Sequence, residues 1–161
     1  MTTIQAYAIP TDDMKAIWHS GLDQRGNTLR PQRHEETFPL RCCLRQSELT
    51  EEIALISYAP LQGPSPWAEV GPVFVHATPC DGYDSPGLPE AMRIGSKVLR
   101  SYRADGSLDY DGIVVAEPDA DLEPLLEDLL ADPARAEVHV RSLTAQCFTY
   151  RVTRSGEAPL T

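Results

Sequence analysis

The 161-residue chain lacks any long hydrophobic run, and its longest apolar stretches span only a few residues, as at 73–75. A helix needs about 20 apolar residues to cross a bilayer, so the sequence predicts no membrane span. The opening residues MTTIQAYAIPTDD also lack the basic and apolar regions of a signal peptide. We therefore expect a cytoplasmic protein without a membrane partner.

Lysine is scarce, with 2 Lys against 12 Arg, and the formal net charge is −10. This charge repels phosphate backbones and anionic membranes at long range, so nucleic acid is not an expected partner. Several Arg lie within apolar, strand-like stretches of the sequence. Arginine binds carboxylates and phosphates through two parallel hydrogen bonds, so an anionic small molecule is the expected partner.

The common cofactor and catalytic motifs are missing from the chain. It contains no GxGxxG, GxxxxGK[ST], HExxH or GxSxG pattern and no EF-hand loop. No CxxC pair is present either, and four cysteines in a cytoplasmic chain are poor evidence for disulfides. We therefore expect free thiols and no cofactor.

The length predicts one domain over 1–161, with a flexible tail at 154–161. Strand patterns outnumber helical ones, and most neighbouring strands are separated by short turns. The sequence therefore favours an α+β fold with a largely antiparallel, curled sheet that could close like a barrel, and two or three short helices. The predicted strands are 4–9, 40–44, 53–59, 73–77, 97–103, 110–116, 137–142 and 145–152, and the predicted helices begin near 11, 89 and 120.

Local signals add detail to these elements. Thr11 or Asp12 is the expected cap of the first helix, and the leucines of 122–130 form a stripe along the third. Asp105-Gly106 predicts a hairpin turn between the strands 97–103 and 110–116. In the strand 40–44, the neighbouring residues at 42 and 43 would point to opposite faces.

Strand alternation places polar residues on shared faces, because side chains two positions apart point the same way. In 137–142, His139 and Arg141 oppose two valines. In 145–152, Cys147 and Arg151 lie on the polar face, and Phe148 and Tyr150 belong to the apolar one. If these strands form a hairpin, the polar faces coincide, although a slip of one residue would reverse them.

These patterns predict a pocket whose residues come from five strands. Four of them would bind an anionic carboxylate or phosphate, and three others would be catalytic, with His76 or His139 moving a proton near neutral pH. The predicted ligand-binding residues are Arg41, Arg100, Tyr102 and Arg141, and the predicted catalytic residues are His76, His139 and Cys147.

The best-supported function at this stage is a cofactor-free small-molecule enzyme of isomerase, lyase, cyclase or hydrolase type. The alternative is a non-catalytic binding or structural domain, in which one sheet face is solvated and its Arg residues pair with acidic loops. The sequence does not decide between them.

Two sharper hypotheses use the same residues. His76, Cys80, His139 and Cys147 would supply two nitrogen and two sulfur ligands to a tetrahedral zinc ion, although their spacing matches no short zinc knuckle. Alternatively, Cys147 would act as a nucleophile beside His139, with Glu137 orienting the imidazole.

The segments FPLRCCLR, GPVFVHATPC and EVHVRSLTAQCFTYRV resemble the bacterial domain-of-unknown-function family 1203, from about residue 4 to residue 153. The resemblance implies a stand-alone, single-domain bacterial protein and brings no activity with it. The positions that correspond to the family's motifs are Arg41, Cys42, Gly71, Pro72, His76, Cys80, His139, Arg141 and Cys147.

Overall fold

The computed structural model describes residues 3–161 and has a single α+β domain, as predicted, with two helices and nine strands in two sheets. Neither sheet closes into a barrel. Within the described residues, every helix is too short or too polar to cross a membrane. In chain order the elements are β1 (Ile4–Tyr7), α1 (Thr11–Ser20), β2 (Pro39–Leu40), β3 (Arg45–Gln46), β4 (Ile53–Tyr58), β5 (Gly71–His76), β6 (Lys97–Arg103), β7 (Leu108–Ala116), α2 (Leu122–Leu130), β8 (Arg135–Ser142) and β9 (Phe148–Arg154).

The larger sheet is antiparallel, with the strand order β1-β9-β8-β6-β7, and α2 packs against one of its faces. The Asp121 carboxylate caps α2 by accepting a hydrogen bond from the Glu123 amide. Leu122, Leu126 and Leu129 of the predicted stripe are buried against Val140 and other residues of this sheet. The periodicity of the sequence therefore identified this half of the core.

The predicted hairpin between β6 and β7 is present, and Gly106 takes the positive φ of 83° that its turn requires. The hairpin of β8 and β9 also forms, with His139 opposite Arg151. The register shifts between Val140 and Arg141, so that Arg141 lies opposite Phe148. This bulge corrects the prediction for Phe148, which packs in the core beneath the smaller sheet instead of with Tyr150.

The smaller sheet has the order β3-β2-β5-β4, in which β2 and β5 are parallel. Met14 and Ile17 of α1 are buried in the core beside Val73 and Val75 of β5. The helix begins at Thr11 without a side-chain cap, so the predicted cap by Thr11 or Asp12 is wrong.

Residues 41–44 form a turn between β2 and β3, whereas alternation predicted a continuous strand at 40–44. The Leu44 amide donates to the Leu40 carbonyl at 2.9 Å, and Leu44 takes a positive φ of 56°. A turn does not alternate its side chains as a strand does. Cys42 and Cys43 therefore need not point to opposite faces, contrary to what the strand pattern predicted.

The polar face of β8 is buried, and the 154–161 segment contacts it. Glu137, His139 and Arg141 are all buried on this face. The backbone of Leu160 binds there, its amide donating to Glu137 at 2.7 Å and its carbonyl accepting from Arg151 at 2.8 Å. These two contacts fix part of the 154–161 segment to the sheet.

Candidate functional site

Residues from both sheets line a cavity of about 520 Å³, which we call the cationic cavity. Its walls are mainly apolar, and two cationic side chains belong to its lining. The apolar residues are Phe38, Pro39, Leu55, Pro72, Val73, Phe74, Met92, Ile94 and Ala145; the others are Thr37, Arg41, Gln46, Lys97, Ser142, Cys147 and Thr149. A volume of this size suits a small organic ligand.

Arg41 and Lys97 are 5% and 7% exposed, and neither forms a salt bridge with a carboxylate in residues 3–161. Arg41 donates from Nε to the Phe148 carbonyl at 2.8 Å and from Nη1 to the Pro39 carbonyl at 2.5 Å. Lys97 Nζ donates to the Ile94 carbonyl at 2.5 Å. Both groups have further N–H donors beyond these bonds.

Burial lowers the pKa of Arg41 to about 10. Burial also lowers the pKa of Lys97, and the nearby charge of Arg41 lowers it further. Both shifts have the same physical origin, since a charge removed from water and left without a counter-ion is destabilised. An anion in the cavity would supply the missing counter-charge.

A second cavity of about 160 Å³ adjoins the first, with Pro72, Val73, Ala145 and Cys147 in the lining of both. Arg141 lines this smaller cavity and donates from Nη1 to the Gln146 carbonyl at 3.0 Å. Its Nη1 also lies 3.5 Å from the Glu69 carboxylate, so Arg141 has an acidic partner that Arg41 lacks. Its Nε is buried and has no hydrogen-bond partner among the described residues.

Arg100 and Tyr102 lie on the same sheet face as His139, because Arg100 is opposite His139 in the ladder and Tyr102 is two positions further along β6. Neither residue belongs to the lining of the cationic cavity. Arg100 forms two hydrogen bonds with Glu69, at 3.0 and 3.2 Å. The ring centroid of the buried Tyr102 lies 4.3 Å from that of His139, with the two planes tilted by 38°.

His139 belongs to a buried ionic group with Glu137 and Arg151. Its Nε2 lies 2.6 Å from Glu137 Oε1, while the side chains are 1% and 0% exposed. Arg151 Nη1 lies 3.4 Å from the same oxygen. Burial lowers the pKa of His139 to about 4, so the imidazole is neutral and donates Nε2–H to the carboxylate. His139 Nδ1 has no partner, and no hydrogen bond joins His139 to Cys147 in residues 3–161.

His76 lies in a different group, formed with three cysteines at the end of β5, which we call the Cys/His cluster. One ligand atom from each of Cys42, Cys43, His76 and Cys80 lies within 4.8 Å of all the others. His76 Nδ1 is 3.4 Å from Cys42 Sγ and 3.7 Å from Cys43 Sγ. The 41–44 turn supplies two thiols, β5 supplies the imidazole, and the loop that follows supplies Cys80.

The far side of the His76 ring contacts an ion pair. His76 Nε2 lies 2.8 Å from Glu51 Oε1, and Arg45 forms hydrogen bonds of 2.6 and 3.1 Å with that carboxylate. The Arg45 hydrogen bonds lower the pKa of Glu51 to about 2. Contact with Cys43 is the largest cause of a raised His76 pKa of about 9, and a hydrogen bond from Cys42 lowers the pKa of Cys43 to about 4. These shifts favour a Cys43 thiolate beside a protonated His76 imidazole.

The seven predicted site residues are thus divided among separate places. Arg41 and Cys147 line the cationic cavity, Arg141 lines its smaller neighbour, and His76 joins the Cys/His cluster. The remaining three, His139, Arg100 and Tyr102, lie outside both cavities.

The predicted zinc set is divided in the same way. The cluster contains His76 and Cys80, but Cys42 and Cys43 replace His139 and Cys147. Strand alternation missed both cysteines because the 41–44 turn interrupts the strand. It also missed Lys97. A signal was present in the sequence, because the chain has only two lysines and this one begins a strand.

The comparisons with known proteins gave a single match. Residues 37–154 match the model of a family described as "Protein of unknown function (DUF1203)". No curated protein and no solved structure was found to match the chain. The matched range includes the lining of the cationic cavity and the whole Cys/His cluster.

Proposed function

Since the chain belongs to the DUF1203 family, whose function is unknown, we propose from its own site that it binds an anionic small molecule with an apolar body. The observation that supports this proposal is that Arg41 and Lys97 line the same cavity. Both are buried cations that form no salt bridge with a carboxylate of residues 3–161, and both line one apolar cavity of about 520 Å³.

The ligand class follows from the two parts of the cavity. A carboxylate or phosphate monoester would accept hydrogen bonds from the guanidinium and ammonium groups and restore their lost solvation. An alkyl or aryl body would pack against Leu55, Phe74 and Met92. The overall charge of −10 opposes this ligand at long range, so the binding energy must come from short-range contacts inside the cavity.

Binding is proposed here without a reaction. Neither His76 nor His139 belongs to the lining of the cationic cavity, although a general acid or base must reach the proton that it moves. Cys147 remains a candidate catalytic residue, because its side chain lines both cavities.

Calorimetric titration of the full chain with octanoate, octyl phosphate and octanol tests this proposal. We expect the two anions to bind and octanol to bind at least tenfold more weakly, because a hydrogen-bonded charge is worth about 1.5–3 kcal/mol. The preferred head group identifies carboxylate or phosphate as the anion. Lys97→Gln and Arg41→Gln should each weaken anion binding at least tenfold.

Arg33→Gln is the matched control, because Arg33 is exposed and pairs with Glu52 away from the cavity. The proposal is wrong if octanol binds as tightly as octanoate, or if Lys97→Gln binds octanoate as the control does. Circular dichroism on each variant separates lost binding from lost folding.

A further inference from the structure

We infer that Cys42, Cys43, His76 and Cys80 form a zinc site with three thiolate ligands and one imidazole ligand. This site is separate from the cationic cavity and does not depend on the function proposed for it. The inference starts from geometry, since four ligand atoms from three segments of the chain converge within 4.8 Å.

The distances suit a tetrahedral ion. Zinc–sulfur bonds of about 2.3 Å and zinc–nitrogen bonds of about 2.0–2.1 Å place neighbouring ligand atoms roughly 3.5–3.8 Å apart. The separations of His76 Nδ1 from the sulfurs of Cys42 and Cys43 are 3.4 and 3.7 Å. Only a small adjustment of the side chains is therefore needed to close the site around an ion.

The ligand types select the metal. Thiolates with imidazole suit zinc, whereas calcium and magnesium take oxygen ligands. Four protein ligands leave no position for water, which is the arrangement of a structural site. Two ligands are buried and two are half-buried, so solvent has limited access to the ion.

The surroundings complete the pattern of a metal-bound histidine. When Nδ1 binds a metal, Nε2 keeps its proton and needs an acceptor, and Glu51 Oε1 is 2.8 Å away. Arg45 holds that carboxylate in place. Arg45 Nη2 is also 2.7 Å from His76 Nε2, a contact that is a hydrogen bond only when Nε2 lacks its proton. Metal binding at Nδ1 selects the tautomer that donates to Glu51.

Charge and hydrogen bonding also fit. Three thiolates around a divalent ion leave a net charge of −1, and the guanidinium of Arg45, which also binds Glu51, lies beside the cluster. The His76 amide donates to Cys42 Sγ at 3.3 Å, a bond that stabilises a thiolate. The thiol protons leave to solvent when the metal binds.

The site would join the 41–44 turn, the end of β5 and the loop that carries Cys80. Apart from the parallel pairing of β2 with β5, the turn has few ladder bonds of its own, because β2 and β3 have two residues each. A metal that binds all three segments therefore substitutes for regular structure in this part of the fold.

Metal analysis of the untagged full chain, purified under reducing conditions, tests the inference. We expect about one zinc per chain, a fall in Tm on chelation, and thiolate-to-cobalt charge-transfer bands when Co²⁺ replaces zinc. Cys43→Ser and Cys80→Ser should each lose roughly a third of the charge-transfer intensity and bind zinc at least tenfold more weakly, since one of three thiolates is removed.

Cys147→Ser is the matched control, because Cys147 is the one cysteine outside the cluster, and it should keep full zinc and full intensity. Three results would overturn the inference: substoichiometric zinc without cobalt bands, a chain two hydrogens lighter with a disulfide among these thiols, or Cys80→Ser behaving like Cys147→Ser. None of them bears on octanoate binding, so this inference and the proposed function fail separately.

Discussion

Glu51 Oε1 lies 2.8 Å from His76 Nε2, on the side of the imidazole opposite the three thiols. The carboxylate is itself fixed by two hydrogen bonds from Arg45. It therefore sets both the orientation of the ring and the nitrogen that carries the proton.

Glu51→Gln should weaken zinc binding about 10- to 100-fold, the usual effect of removing a carboxylate that orients a metal-bound histidine. The Glu51 carboxylate makes the His76 imidazole a more basic ligand. The substitution removes this effect and leaves all four metal ligands in place. Competition against a chromophoric chelator measures the change. Glu52→Gln alters an exposed neighbour that pairs with Arg33, and it should leave the affinity unchanged. Equal affinities for the two variants would contradict the assigned role of Glu51.

Stability should fall as the pH decreases from about 6.5 to about 4, because of His139. The folded pKa of about 4 lies below the ordinary value of 6.5, so in this window the unfolded chain binds a proton that the folded chain does not. Each unit of pKa difference corresponds to about 1.4 kcal/mol, so the free energy of unfolding should fall by a few kcal/mol.

Urea unfolding of the wild type and of His139→Gln, from pH 7 to pH 4.5, measures this slope. Glutamine places an N–H near the position of Nε2, so it keeps the bond to Glu137 without titrating. We expect a shallower slope for His139→Gln and an unchanged slope for His19→Gln, which alters an exposed histidine. Parallel curves for all three proteins would show that His139 does not titrate as assigned.

Arg151→Met should lower the free energy of unfolding by about 3–5 kcal/mol, because it leaves the buried Glu137 without its cationic partner. It also removes the donor to the Leu160 carbonyl, so the Leu160 amide should exchange with deuterium faster. The double variant Glu137→Gln/Arg151→Met should be less destabilised than the sum of its single changes. Strict additivity would mean that the two residues do not act as a pair.

The larger sheet follows from its sequence because its signals are local. The Asp105-Gly106 turn and the leucine stripe of α2 each need only neighbouring residues, and both are present as predicted. Alternation also placed His139 and Arg151 on one face, and they lie opposite each other in the ladder. In a regular strand, the sequence pattern therefore predicts the face on which each side chain lies.

The candidate sites depend on irregular backbone, which alternation does not describe. The bulge beside Arg141 moved Phe148 to the other face, and the turn at 41–44 placed Cys42 and Cys43 together. Arg41 and Lys97 line one cavity because residues from two sheets come together there. The spacing of residues within a single strand cannot predict such a contact. Only the family resemblance had pointed to Cys42 as a motif position.

The pairing of β1 with β9 also sets the order in which the protein can form. Ile4 lies opposite Arg154, so β1 has no partner in the larger sheet until β9, far along the chain, has been synthesised. Ile4 and Ala6, which are buried in the folded core, lack their native strand partners until then. Contacts so distant in sequence slow folding, and a nascent chain on the ribosome would therefore carry an unpaired, apolar edge until its last strand emerged.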